Sequence, residues 1–148
     1  MARIRTVKPE FWTDEDIASL SEPARLLAIG LLNQSDDEGY FKAHPLLLKA
    51  AVFPLTEPSV SIHDMIIELS NIAYIVCYEG IDGKQYGCVR SFLNHQKINR
   101  PSPSKIKDLI DFSESSVITH EPITVGKEQG TGKGKEQGVL KNPLLMTL

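Results

Sequence analysis

The stretch SIHDMIIELSNIAYIVCYEGIDGKQYGCVRSF, residues 61–92, decides the fold. Ser61 stands where a helix would begin, because its hydroxyl can accept from the free backbone donors of a first turn. Asp64, three residues on, is an imperfect capping-box partner. Ile62, Met65, Ile66, Leu69 and Ile72 recur at helical spacing and predict one apolar stripe with a polar face opposite. Residues 73–79 and 84–92 follow, two runs rich in β-branched and aromatic side chains that predict strands. Between them Asp82-Gly83 predicts a hairpin with a two-residue loop, since both residues tolerate the positive φ of a type I′ turn.

Working outward, His44-Pro45 opens another helix, with Leu46, Leu47, Leu48, Ala50, Ala51 and Val52 expected to face the core and Pro54 closing it. Helix, turn, helix and hairpin in that order is the layout of a winged helix-turn-helix, an α+β fold that is mostly helical with a β-hairpin wing. An ordinary α+β unit without a binding role is the alternative. Residues 40–43 predict a third short strand against the wing. Ser21-Glu22-Pro23 restarts the chain into a run, residues 24–32, that is apolar on nearly every side and marks a central buried helix. Ahead of it, Thr13 is the expected cap of a short helix over residues 14–20, and Phe11 and Trp12 are expected to anchor an extended basic arm.

With 148 residues, 41% hydrophobic and 24% charged, the chain suits one soluble domain plus tails. No apolar run is long enough to span a bilayer, and the basic start lacks the apolar segment of a signal peptide, so a cytoplasmic protein with no membrane partner is expected. A two-residue hairpin loop would set Cys77 and Cys88 opposite each other, but in the cytosol they are expected to be free packing residues. Asp36, Asp37 and Glu38 lack the spacing of a calcium loop and are expected to form a solvated turn, so no metal is expected. No nucleophile with a His and an acid at readable spacing and no phosphate loop stand out. Neither catalysis, a cofactor nor a small-molecule substrate is expected.

A net charge of −3 hides a strong asymmetry. Between residues 9 and 82 thirteen acids face three bases, Arg25, Lys42 and Lys49, whereas residues 1–9 and 83–107 hold no acid at all. Arg3, Arg5, Lys8, Lys84, Arg90, Lys97, Arg100, Lys105 and Lys107 lie in those two flanks, which is the electrostatic footprint of a protein that meets a polyanion. Residues 94–107 alternate basic and amide side chains with two prolines. That suits an extended strand along phosphates, with His95 and Asn99 among the side chains facing DNA; a solvated linker is the alternative. The helix over residues 61–72 departs from this pattern: its outward side offers His63, Asp64, Ile67, Glu68, Ser70 and Asn71, with no Lys or Arg. Carboxylates there would be repelled by phosphates. A second reading follows, in which His63, Asp64, Ile67, Glu68 and Asn71 form a protein interface, as in a homodimer, an adaptor or an inhibitor of a host complex.

Ser104 is the expected cap of a last short helix ending near Phe112, so residues 1–112 read as the domain. Order is not expected from residue 113, where Gly-Lys-Glu-Gln-Gly occurs twice, at 126–130 and 134–138, in a polar tract that buries too little apolar surface to fold. Residues 139–148 are an apolar tail, either a partner-binding peptide or part of a longer linker.

Four stretches carry a resemblance: Arg3-Ile-Arg-Thr-Val-Lys-Pro-Glu-Phe-Trp12, Ser21-Glu-Pro-Ala-Arg-Leu-Leu27, Asp36-Asp-Glu-Gly39 and Phe92-Leu-Asn-His-Gln-Lys-Ile-Asn-Arg-Pro101. Together they resemble the N-terminal domain of phage and prophage replication proteins of the replisome-organiser type. The similarity covers roughly residues 1–107, its first and last motifs being the specific ones, and the Gly, Lys and Glu-rich tract is similar to the linkers that follow this domain. It implies a winged-helix domain that binds duplex DNA at a replication origin, in a bacterial host cell, as an initiator or accessory factor with replication or host proteins as partners. A longer member would continue into a domain that contacts the helicase-loading machinery; none is expected within these 148 residues.

Overall fold

Capping chemistry sets the helix starts in the computed structural model, which describes residues 2–120. Ser61 accepts from the Asp64 amide at 3.1 Å and opens α5 (Ile62–Asn71); Ser21 accepts from the Ala24 amide at 3.3 Å and opens α3 (Glu22–Gln34). Asp14, rather than Thr13, caps the helix before α3: its carboxylate accepts from the Asp16 and Ile17 amides, and Thr13 instead ends α1 (Glu10–Thr13) ahead of α2 (Glu15–Ala18). The remaining elements are β1 (Tyr40–Lys42), α4 (Pro45–Val52), β2 (Ile75–Glu79), β3 (Gln85–Val89), α6 (Phe92–His95) and β4 (Val117–Ile118).

The protein is α+β, with one antiparallel sheet in the order β1-β3-β2-β4. Leu27, Ala28 and Leu31 of α3 and Met65, Ile66 and Leu69 of α5 share one buried cluster with Phe41, Ile75, Val89 and Phe92. Among the described residues no helix is long and apolar enough to cross a membrane.

The hairpin forms where Asp82-Gly83 places it, with a loop one residue longer than expected. The Gly80 amide donates to the Lys84 carbonyl at 2.7 Å and the Gly83 amide to the Gly80 carbonyl at 2.9 Å, so Ile81, Asp82 and Gly83 make a three-residue loop with Gly83 at φ 79°. The Asp82 carboxylate fastens it, accepting from the Lys84 amide at 3.0 Å and the Tyr86 hydroxyl at 2.6 Å. The extra residue slides every cross-strand partner by one. Cys77 therefore faces Gly87 and Cys88 faces Val76, which puts the two thiols on opposite faces of the sheet, out of reach of each other. Burial pushes both thiols up to about 11, so they stay protonated at neutral pH.

Five further expectations are corrected. Trp12 is 66% exposed and meets the edge of Phe11 at 5.1 Å, so Phe11 alone packs on the core. In α4 only Leu48 is buried; Leu46, Leu47, Ala50 and Ala51 are exposed and Val52 is half-buried, because α4 touches the core along one side. β3 stops at Val89, where Ser91 at φ 58° turns the chain into α6. Order continues past Phe112: β4 pairs with β2 through Cys77↔Ile118 and Tyr78↔Val117, and Phe112 lies edge-on to Tyr78 at 5.3 Å. The Ser104 hydroxyl accepts from the Lys107 amide at 3.0 Å, but it starts only a single 3-10 turn, Lys107–Leu109. The repeats at 126–138 and the tail at 139–148 lie outside the described residues.

Gly87 explains why β1 and β3 pack so closely on the core, since a Cβ there would overlap the ring of Phe41, which is 1% exposed. Gly87→Ala is expected to destabilise the fold by about 1–3 kcal/mol through overpacking. Gly83→Ala meets open space but a positive φ and is expected to cost about 1–2 kcal/mol, most of it recovered in Gly83→Asn. Urea denaturation of the three variants checks this; an unchanged midpoint for Gly87→Ala would rule out the close ring contact.

Candidate nucleic-acid interface

The turn after α3 gathers both basic flanks. The Asp36 carboxylate accepts from the Glu38 and Tyr40 amides at 2.9 and 3.0 Å, the Asp36 amide donates to the Tyr40 carbonyl at 2.8 Å, and Gly39 takes φ 95°. Asp36 thus closes the tight bend from within, while the carboxylates of Asp37 and Glu38 reach partners outside it. Asp37, 3% exposed, accepts from Arg3 through both oxygens at 3.0 and 3.1 Å, from Arg5 at 3.2 Å and from the Ser102 amide at 2.9 Å. Asp36 also accepts from the Ser104 hydroxyl at 2.5 Å, and Glu38 from the Ser104 amide at 2.6 Å and the Lys107 ammonium at 3.2 Å. The turn expected to be solvated is thus the anchor of the fold's two ends. The Ser102 amide, with Arg5 and Arg3, holds the Asp37 carboxyl below the usual range, and the Ser104 amide and Lys107 do the same for Glu38.

The arm is not a free extended strand either. Arg5 also donates to the Leu32 and Ser35 carbonyls at 3.1 and 2.9 Å and lies over the Phe92 ring at 5.2 Å. The Gln96 side chain pairs with Thr6 as a strand would, accepting from its amide at 2.9 Å and donating to its carbonyl at 2.8 Å. Lys8 donates to the Asn94 carbonyl at 3.3 Å. Of the cations expected to face DNA, Arg3, Arg5, Lys8 and Lys107 therefore serve the protein's own structure. Only opposite charge in distant stretches hinted at this in the sequence.

The others are open. Lys84 closes the hairpin loop, Arg90 follows β3, His95 ends α6, and Lys97, Asn99, Arg100 and Lys105 line the return path to the acidic turn; all are exposed. Among the described residues Lys84, Arg90, Lys97, Arg100 and Lys105 make no ion pair. Arg100 sits at φ 54°, turning the chain ahead of Pro101.

The outward side of α5 is more committed than its sequence suggests. Glu68 accepts from the amide and the hydroxyl of Ser21, both at 2.8 Å, so it finishes the cap of α3. Ile67 is half-buried, and His63 meets the ring of His120 edge-on at 6.1 Å. Asp64 and Asn71 remain exposed. Among the described residues no group of three metal-ligating side chains comes together. A groove of about 310 Å³ between the arm and the ends of β2 and β3 has an apolar floor, including Phe11, Ile17 and Tyr74. Of its polar groups, the Tyr74 hydroxyl donates to the Ala28 carbonyl at 2.8 Å and the Gln96 side chain is taken up by Thr6, whereas Arg90 and His95 are exposed. Comparison with protein-family models, curated proteins and solved structures finds no match.

The clamp predicts acid sensitivity of a definite sign. The folded values of Asp37 and Glu38 lie below their ordinary 3.8 and 4.5, so their contribution is fully present above about pH 5 and is lost as pH falls through 4.5 and below 3.8. Urea midpoints measured across that window should fall in the wild type. In Asp37→Asn the midpoint should be lower at pH 7 and the slope below pH 4.5 shallower; an unaltered acid slope would count against the clamp.

Proposed function

We propose that this chain is a DNA-binding protein with a winged helix-turn-helix core, of phage or prophage origin, acting as a replication initiator or accessory factor on duplex DNA. The observation that carries the reading is the set Lys84, Arg90, Lys97, Arg100 and Lys105: exposed, without an ion-pair partner among the described residues, and drawn from a stretch, 83–107, that holds no acid. A row of unneutralised cations is what displaces counterions from a nucleic-acid backbone. Support for the winged-helix core comes from the order α3-β1-α4-α5-β2-β3 and from β3 lying between β1 and β2. The replication reading gains from the way its motifs meet: Arg3 and Arg5 reach Asp37, Gln96 pairs with Thr6, Lys8 bonds Asn94, and Gly39 packs under Phe92.

On this reading the hairpin tip and residues 90–105 meet the phosphates, and α5, with Asp64 exposed and no Lys or Arg, does not lead. The protein-binding alternative draws on that same acidic helix. It has less to offer a partner now that Glu68 and Ile67 are engaged within the fold.

Fluorescence anisotropy against duplex DNA at two or more salt concentrations tests the proposal. Neutralising Lys97 and Arg100 should weaken binding to all sequences alike and flatten the log–log salt slope by about 0.9 per phosphate contact removed. Arg3→Gln should lower stability and leave that slope unchanged. A folded wild type with no salt-dependent affinity for duplex or single-stranded DNA would sink the reading.

A further inference from the structure

We infer that α4 is the contact surface of a homodimer, packed antiparallel on α4 of a second copy. The eight-residue helix Pro-Leu-Leu-Leu-Lys-Ala-Ala-Val turns Leu48 and Val52 inward, while Leu46, Leu47, Ala50 and Ala51 fall at i, i+1, i+4 and i+5 on the opposite side. Leu46 is 73% and Leu47 51% exposed, and Leu55, just beyond the helix, is 94% exposed. A helix apolar all round normally lies inside a protein, and a contiguous exposed apolar face normally marks an interface. No charge interrupts this face: Lys49, the only charged residue of α4, stands off it on the helix and pairs with Glu57, beyond the C-terminal end of α4, at 3.3 Å. Ala50 and Ala51 let a second backbone come close, whereas phosphates would find nothing here to bind.

The ends of the helix identify the partner. Lys42, exposed, lies just before α4, and Glu57, 84% exposed, lies just after it. A two-fold axis that crosses the helix near its middle runs the copies antiparallel and brings Lys42 of each toward Glu57 of the other. Glu57 holds Lys49 through one carboxylate oxygen, leaving the second for the partner. Parallel packing would set like charges together. The face is self-complementary only in the antiparallel sense, as a two-fold interface requires.

The inference does not rest on the DNA reading, and its test uses the full chain without DNA. Sedimentation equilibrium of the wild type is expected to show twice the chain mass, falling to the monomer mass in Leu46→Asp and in Leu47→Asp with thermal unfolding of the monomer unchanged. Lys42→Glu and Glu57→Lys should each weaken association by about tenfold, two surface pairs being lost per dimer, and the double variant should restore it. A wild type that stays monomeric at every concentration would overturn the inference and leave the face to a segment of the same chain or to another protein. Dimerisation indifferent to Leu46→Asp and Leu47→Asp, or single charge reversals that the double variant fails to rescue, would overturn it as well.

Discussion

Three carboxylates on one tight bend are the constraint on which the rest of the structure depends. Left to themselves, Asp36, Asp37 and Glu38 would repel one another, and a carboxylate as little exposed as Asp37 is destabilising unless paired and hydrogen-bonded. The chain supplies partners from both ends at once, guanidinium groups from Arg3 and Arg5 and the Ser102 and Ser104 amides with Lys107. The consequences spread through backbone geometry. Because Asp36 closes the bend onto Tyr40, β1 starts at a fixed residue; because the Gly39 carbonyl accepts from the Val89 amide at 2.9 Å, β3 is held in register beside it. Phe92 then fills the space over Gly39 that a side chain would need, and Arg5 lies over its ring.

This arrangement divides the basic residues into two populations that a charge count cannot separate. Arg5 is 6% exposed at its side chain and satisfies two carbonyls besides Asp37, so it behaves as part of the core. Lys97, Arg100 and Lys105 belong to the same acid-free stretch as Lys107, yet they are exposed and make no ion pair with the turn that Lys107 meets. The asymmetry between flanks and centre is thus partly an internal neutralisation, and only the remainder acts outward. For an exposed cation the surroundings fix its use at a range of about 8 Å at physiological ionic strength, the distance over which neighbouring acids still screen it.

What was legible in the sequence was local, and what was missed was not. Ser61 and the stripe of Ile62, Met65, Ile66 and Leu69 describe α5 fully, since cap and periodicity lie within a dozen residues. Asp82-Gly83 marked the hairpin, but the same pair serves a two-residue and a three-residue loop, and the Gly80–Lys84 bond that decides between them depends on how the strands meet. In α4 the run of leucines and alanines said "buried" for every face, while α3 and α5 leave room for only Leu48. β4 has two residues, too few for a pattern, and pairs because the outer edge of β2 was open to it. The ion pairs around Asp37 join residues 34 and 32 apart, and the Asp36 bond to Ser104 spans 68, separations at which sequence spacing carries no signal.

The hairpin and α5 also make different electrostatic offers, and that difference bears on how a polyanion would approach. β2 leaves the C-terminal end of α5 and carries the chain away over five residues, about 17 Å at strand rise, before Lys84 returns it. Lys84 sits at the hairpin tip, whereas the exposed Asp64 sits in the first turn of α5. A helix inserted deep in a groove would bring Asp64 against phosphates on either side. An approach led by the tip and by Arg90 and residues 97–105 keeps phosphates near cations. The acidic helix is then compatible with DNA on one condition, that the duplex is met from the side of the hairpin and not along the axis of α5.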